Sequence, residues 1–374
     1  MIWVFWISAG LIVYTYAGYA CWLWLRRLWR FRPVKRASMT PAISIAMVVR
    51  DEERTLEEKL RNLMELDYPA GRCQIVVVSD GSTDGTEEIL RRYASDARVH
   101  AILNQLGRGK AAGLNDAVEM ASGEIVVFTD ARQKIEAGAV RLLVENFADA
   151  EVGCASGELM LGDIPQGETN QGLGLYWRIE KKVRELESET GSVVGATGAL
   201  YAVRRELLTE VPTGTILDDV FLPMQVVRQG KRVVFDERAR AWDKPDLGAE
   251  REFSRKVRTL SGNYQLLQLA PWLLSGKNPI RFELVSHKLL RLAVPVALAA
   301  LLLASIFLSG PFYRTALALQ TVLYLLSALA FARLVKRGVL ARLADVSGTF
   351  VLLNGAALVA LFNFVSGRRA AWTR

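Results

Sequence analysis

Cysteine and histidine are scarce in this 374-residue chain: there are three of the former, Cys21, Cys73 and Cys154, and two of the latter, His100 and His287. The cysteines are odd in number and widely spaced, so they give neither a disulfide framework nor a zinc signature. Two histidines are too few for a histidine metal centre, and a reducing cytosolic setting fits the middle of the chain. A GxGxxG after the first β-branched run is also missing; RDEE, residues 50–53, stands there instead, which argues against a dinucleotide-binding enzyme. No low-complexity tract or internal repeat is present, and Ile2 to Leu25 carries no charge at all.

Apolar residues, by contrast, make up 51% of the chain, and the mean hydropathy of +0.18 is high for a purely soluble protein. The excess collects in residues 1–25 and 289–366, while 38–245 has the mixed composition of a globular domain. Ile2 to Leu25 is long enough to cross the roughly 30 Å hydrocarbon core as a helix. Six Lys or Arg residues follow it between Arg26 and Arg36. A cleavable signal would carry its positive charge in front, so this is read as a span whose C-terminal end, with the domain after it, faces the cytoplasm. Leu292–Leu308, Thr315–Ala332 and Val346–Val365 are three further candidate spans. The last carries Ser347, Thr349, Asn354 and Asn363, and reads as either a helix buried against other helices or a re-entrant segment. Three full crossings place the tail outside, although Arg368, Arg369 and Arg374 favour the inside. Much of the net charge of +8 lies beside these spans, which fits anionic membrane lipid rather than nucleic acid.

From Ala42 onward short β-branched runs alternate with amphipathic stretches: ISIAMVV then TLEEKLRNLMEL, QIVVVS then TEEILRRYA, VHAIL then GKAAGLNDAVEMA, EIVVFTD then a helix expected near Ala137 to Phe147. That rhythm predicts βαβ units on a mostly parallel sheet. Asp130 follows IVVF at the point where a central strand emerges, which is where open α/β sheets bind ligands; the plainer alternative is a cap for a helix starting near Glu136. A further strand is expected over Glu151 to Leu161. Tyr176, Ile179, Val183 and Leu186 form an apolar stripe suited to packing. GATGALYAVRR, 195–205, reads as a glycine-rich loop entering a strand, and Asp218 and Asp219 open a helix, where acidic residues are also ordinary caps. Over Leu247 to Ala270 a helical wheel places Phe253, Val257, Leu260, Tyr264 and Leu267 on one side and Arg251, Arg255 and Arg258 on the other. Such a helix lies along a membrane surface or under the globular domain, leaving its arginines to meet phosphate.

Taken together these elements resemble the membrane-integrated branch of glycosyltransferase family 2, which includes hyaluronan, chitin-oligosaccharide, poly-N-acetylglucosamine and cellulose synthases. The resemblance runs by motif over Pro41 to Arg258 and by layout over the flanking spans. It implies a GT-A domain with a Rossmann-like sheet that uses a nucleotide-diphosphate sugar. The family's YNEE position falls on 50–53, so Asp51 and Glu52 are implied to face the nucleoside; in SDGSTDGT, Asp80 matches the carboxylate that binds the base. GRGKAAGLN matches a segment whose lysine, here Lys110, lies close to the donor phosphates. The DxD metal motif falls on Asp130, Ala131 and Arg132, keeping only its first Asp, so Mg2+ or Mn2+ would be held by Asp130, phosphate oxygens and water. The TED motif aligns with Leu217, Asp218 and Asp219, which makes Asp219 the implied catalytic base and Asp218 a capping or orienting neighbour. QxxRW aligns with Arg255 to Thr259: Arg258 matches the arginine that contacts the diphosphate, Arg255 replaces Gln, and Thr259 replaces the Trp that stacks the acceptor. Trp177 or Trp242 would have to supply that stacking face, and the segment containing Gly198 resembles the acceptor lining.

The expected layout is an N-terminal transmembrane helix (1–31), a GT-A domain (38–245), interfacial amphipathic helices (246–287) and a C-terminal membrane region (288–366). The expected activity is inverting transfer from a nucleotide sugar, a UDP-sugar by resemblance, to a glycan acceptor in polysaccharide or oligosaccharide synthesis at a bacterial inner membrane. Transfer to a lipid or polyprenyl phosphate without polymerisation is one alternative. A non-catalytic nucleotide-sugar or cyclic-nucleotide sensor is the other.

Overall fold

A computed structural model describes residues 1–162, 171–244, 249–335 and 337–367, without the side chains of 171–176 and 249–252. The N-terminal apolar run forms helix α1 (Ile2–Arg27). ISIAMVV becomes strand β1 (Ile43–Val49), every residue of which is buried because the sheet is covered on both faces. Along the chain follow α2 (Leu56–Met64), β2 (Cys73–Asp80), α3 (Thr86–Tyr93), β3 (Val99–Asn104), α4 (Lys110–Met120), β4 (Ile125–Phe128), β5 (Lys134–Ile135), α5 (Ala139–Val144), β6 (Val152–Leu161), α6 (Gln171–Thr190), β7 (Tyr201–Arg204), α7 (Asp218–Arg228), β8 (Arg232–Asp243) and α8 (Ala249–Leu269). Three long apolar helices complete the described chain: α9 (Arg281–Phe307), α10 (Pro311–Phe331) and α11 (Gly338–Val365).

The strands form one sheet in the order β3-β2-β1-β4-β7-β6-β8-β5. The half formed by β3, β2, β1 and β4 is parallel. Beyond it β7 runs antiparallel to both β4 and β6, β8 is parallel to β6, and β5 is antiparallel to β8. Because side chains alternate across a strand, Ile45 and Met47 of β1 pack with Leu56, Leu60 and Leu63 of α2, while Ala46 and Val48 meet Ala111 and Leu114 of α4 on the opposite face. Each Ile, Leu, Val or Met side chain taken from water in this way stabilises the fold by about 1.5–3 kcal/mol.

Two expectations are corrected. The helix expected from Ala137 starts at Ala139, because Lys134 and Ile135 are drawn into the sheet against Trp242 and Ala241. Asn62 holds that short strand, donating to the Ile135 carbonyl and accepting from its N–H, each at 2.8 Å. With β5 in that position, Asp130 caps no helix. The membrane helices also begin earlier than hydropathy indicates, at Arg281 and Gly338 rather than Leu292 and Val346, since polar first turns packed against protein do not end a helix.

All four long helices meet the length and hydropathy needed to cross a membrane. The 28 residues of α11 are one continuous helix, about 42 Å long at 1.5 Å per residue, which replaces the re-entrant alternative. Its Asn354 is buried and donates to the Tyr16 hydroxyl at 3.2 Å and the Phe350 carbonyl at 2.9 Å. The globular domain is fastened to the helices by a buried Arg26–Glu283 ion pair and by the Tyr19 hydroxyl, which donates to Glu187 at 2.7 Å. The side chain of Arg251, and Arg368, Arg369 and Arg374 of the tail, lie outside the described residues.

Candidate active site

The carboxyl ends of β1, β2 and β4 open on one edge of the sheet, with Asp51 two residues beyond β1, Asp80 as the last residue of β2 and Asp130 two residues beyond β4. Asp80 ends β2 with 0% exposure and accepts the backbone N–H groups of Arg108 at 2.7 Å and Gly109 at 2.8 Å. A buried carboxylate satisfied in this way fixes the loop that enters α4, and so places Lys110 at the start of that helix. Asp51 adopts the left-handed backbone region, φ +54°, and accepts from the Thr83 N–H at 2.8 Å and the Thr83 hydroxyl at 3.1 Å. The Glu52 N–H donates to the Thr86 hydroxyl at 2.8 Å. The RDEE and SDGSTDGT loops are thereby laced into one wall beside the strand ends.

Lys110 points across this edge. Its ammonium donates to Asp130 Oδ1 at 2.9 Å and lies 3.3 Å from Asp218 Oδ1. Burial alone would lower the Lys110 pKa, but Asp130, Asp218 and Asp219 outweigh it and hold the group charged above its ordinary value. Asp218, buried in the first turn of α7, is raised by burial against the opposing pull of Lys110. Asp219 is pushed up to about 6, first by burial and then by the like charge of Asp218, while Lys110 and Lys288 pull the other way.

Gly198 sits between the two outer carboxylates. Its N–H donates to Asp219 Oδ2 at 3.2 Å. A Cβ on it would lie 3.3 Å from Asp130 Oδ2 and 3.5 Å from Asp219 Oδ2, two reaches that bound these oxygens to within about 7 Å of each other. The Ala196 N–H fixes the same loop by donating to the Asp219 carbonyl at 2.7 Å.

On the other side α8 presses against the segment that carries the aspartates. A Cβ on Gly262 would come 2.6 Å from Leu217 Cγ, so only glycine allows this approach, and Gln265 accepts from the Ile216 N–H at 2.9 Å. Arg258 precedes Gly262 by four residues and Arg255 by seven, so both share the helix face that meets Leu217. The apolar side of α8 meets α11, where Tyr264 stacks on Phe364 at 4.9 Å. Trp177 of α6 faces α8 too, with the Lys256 ammonium 5.8 Å from its ring. Trp242 is buried and donates to Glu136 at 2.7 Å, which removes it as a stacking face.

Residues 44–211 match the family model described as Glycosyl transferase family 2. This segment is a family 2 glycosyltransferase domain. Poly-beta-1,6-N-acetyl-D-glucosamine synthases of Staphylococcus epidermidis and Staphylococcus aureus (strain COL) are each 23% identical to this chain, over 62% and 60% of it respectively. The chain spans little more than half the length of these relatives, 56% and 55%. Among solved structures, the mannosyltransferase PcManGT of Pyrobaculum calidifontis, in complex with GDP-Man and Mn2+, aligns with a TM-score of 0.75 at 24% identity, covering 98% of this chain and 100% of its own. The shared fold therefore takes in the long apolar helices as well as the GT-A domain.

Three long-range pairings in and beside this domain were missed by sequence reading. Arg132, at the third position of the altered DxD, forms an ion pair with Asp243 at the end of β8, and Gln133 donates to the same carboxylate at 3.3 Å. Lys59 of α2, 2% exposed, lies under the loop that carries Asp130 and donates to the Thr129 hydroxyl at 2.8 Å and the Gln133 carbonyl at 2.6 Å. His287 of α9 stands between Glu187 and Glu180, at 2.8 and 3.0 Å. An amphipathic pattern marks Lys59 and Glu187 as out of place on buried faces, but it does not name their partners.

Among the described residues no three His, Cys, Asp or Glu side chains gather as a metal cage. Asp130 nonetheless fits a divalent ion shared with a diphosphate: Lys110 takes Oδ1, Oδ2 is turned toward the Gly198 gap, and the donor set is oxygen, as Mg2+ and Mn2+ prefer.

Proposed function

We propose that the chain is an inverting, membrane-embedded glycosyltransferase that moves a sugar from a nucleotide-diphosphate donor, a UDP-sugar by family resemblance, to an acceptor hydroxyl. The observation that carries this reading is that Asp130 and Asp219 both reach Gly198, their carboxylate oxygens within about 7 Å of each other. Asp219 takes the acceptor proton as the new glycosidic bond forms, which requires the carboxylate within hydrogen-bond reach of the attacking oxygen. Lys110 and Arg258 stabilise the departing diphosphate, Arg255 adds positive charge beside it, and Asp130 is the protein ligand of the metal. When bound, the divalent ion neutralises charge on the leaving diphosphate. Asp51, Glu52 and Asp80 form the nucleoside wall, and Asp80 also holds the loop that presents Lys110. Gly198, Asp218 and Trp177 lie toward the acceptor.

The relatives named as poly-N-acetylglucosamine synthases support a glycan acceptor. The basic stretch after α1 supports a cytoplasmic catalytic domain in an inner membrane. The test is release of nucleotide from UDP-sugars and GDP-mannose by purified full-length protein, with and without Mg2+ or Mn2+. Metal-stimulated release from one donor supports the reading; nucleotide binding with no release or transfer favours the sensor alternative.

A further inference from the structure

Two cations at the membrane end of the site have no part in the donor chemistry. Arg184 of α6 donates to Ser156 Oγ at 2.7 Å and lies over the Phe235 ring, 4.6 Å from its centre. Lys288 stands in the first turns of α9. Their neighbours are matched: Arg291 donates to Glu180 at 2.8 Å, and His287 lies between Glu180 and Glu187. Among the described residues neither Arg184 nor Lys288 has a carboxylate within ion-pair distance, and Glu180 is the strongest charge that each feels. Both side chains are half-buried, and with Arg291 they outnumber the neighbouring carboxylates Glu180 and Glu187, an excess of positive charge that an anion would balance.

The place of these cations points to which anion. Ser156 Oγ, which accepts from Arg184, also accepts the Thr197 N–H at 3.1 Å, and the next residue is Gly198, bonded to Asp219. Arg184 and Lys288 both feel the Asp219 charge. On the other side, Leu289 directly follows Lys288 and Leu292 lies one turn on. Both line a cavity of about 500 Å3, walled also by Ile7, Tyr264, Val296 and Leu361 among the long apolar helices. A cavity of this size is in the range that holds a small-molecule ligand. From Asp219 outward the order is therefore a proton acceptor, two cations and an apolar slot.

We propose that the acceptor is a lipid phosphodiester with a hydroxylated headgroup, its phosphate seated on Lys288 and Arg184, a hydrocarbon chain in the cavity beside α9, and a headgroup hydroxyl presented to Asp219. This rests on the transferase reading and names its acceptor class. The hydroxyl oxygen forms a bond to the anomeric carbon and its proton passes to Asp219. The bond from that carbon to the diphosphate breaks, and its electron pair leaves with the nucleoside diphosphate. Two charge-assisted contacts to phosphate are stronger than neutral hydrogen bonds and fix how far the headgroup reaches.

The test uses full-length protein in vesicles with radiolabelled donor. Polyisoprenyl phosphoglucose and phosphatidylglycerol are the charged acceptors; an uncharged diacylglycerol glycoside and a soluble oligosaccharide are the comparisons. The expected result is label extracted into organic solvent with one of the charged lipids. Lys288→Met and Arg184→Met should each raise KM for that lipid at least tenfold, and Lys288→Arg should recover most of the loss. Donor dissociation constants measured in parallel confirm that each variant is folded. Equal or better transfer to the uncharged glycoside or the oligosaccharide overturns the acceptor class and leaves the transferase reading standing, as does a KM for lipid that neither substitution moves. Failure to release nucleotide from any donor with any acceptor removes both.

Discussion

Gly198 donates its backbone N–H to the Asp219 carboxylate at 3.2 Å, while its bare α-carbon face lies against Asp130. Without a side chain, Gly198 leaves room for both carboxylates beside its α-carbon. Gly198→Ala would put a methyl carbon 3.3 Å from Asp130 Oδ2, close enough to displace it by a few tenths of an ångström, and 3.5 Å from Asp219 Oδ2, an ordinary contact. Misplacement on that scale is expected to lower kcat by about 10–100-fold. Steady-state kinetics beside a thermal melt check this; a normal kcat in a folded variant would show that the gap is not where the reaction occurs.

Lys110 is the cation shared by Asp130 and Asp218. Lys110→Met leaves those carboxylates without it. Removing one partner of a buried pair costs about 3–5 kcal/mol, and the partial exposure of Asp130 brings the expected loss to or below the lower end of that range. The loss should shrink when Mn2+ and nucleoside diphosphate are added together. A melting temperature equal to wild type in the absence of metal would contradict the pairing.

Asp219 sets the acid limb of the pH profile. Burial and Asp218 raise its pKa, Asp130 adds to them, and Lys110 and Lys288 oppose them, leaving the group at about 6. A general base works only when unprotonated, so kcat should fall about tenfold per pH unit below 6 and level off above it. A limb near 4, where an unperturbed carboxylate titrates, would mean that another group takes the proton.

Lys59 reads out through stability. Burial pushes its pKa down to about 7, with Asp130 opposing, whereas an unfolded lysine titrates near 10.4. Between these values the unfolded chain binds the extra proton, so this group's contribution makes the protein more stable as pH rises from about 7 to 10. Melting temperatures of Lys59→Met should rise less over that window than those of wild type. Parallel slopes would place the Lys59 ammonium in water.

How much of this was legible in the sequence follows from how local each signal is. IVVF followed by Asp130, and the alternation of β-branched and amphipathic runs, report strands and their ends directly, because burial on both faces demands continuous apolar residues. The parallel half of the sheet was readable for the same reason. The antiparallel insertion of β7 between β4 and β6, and the pull of Lys134–Ile135 into the sheet, depend on pairings 45 to 108 residues apart. The partner of Arg132 was hidden in the same way: Asp243 lies 111 residues on and belongs to no motif.

The central claim is that Asp219 removes the acceptor proton, and Asp219→Asn tests it most directly. Asparagine keeps the size of the side chain and cannot act as the base. Full-length variant and wild type are compared in transfer of labelled sugar from the preferred donor, with donor binding measured on the same samples. The account predicts a drop of about 10²–10⁴-fold in kcat with donor binding retained. Transfer within threefold of wild type by a folded, donor-binding variant would contradict it.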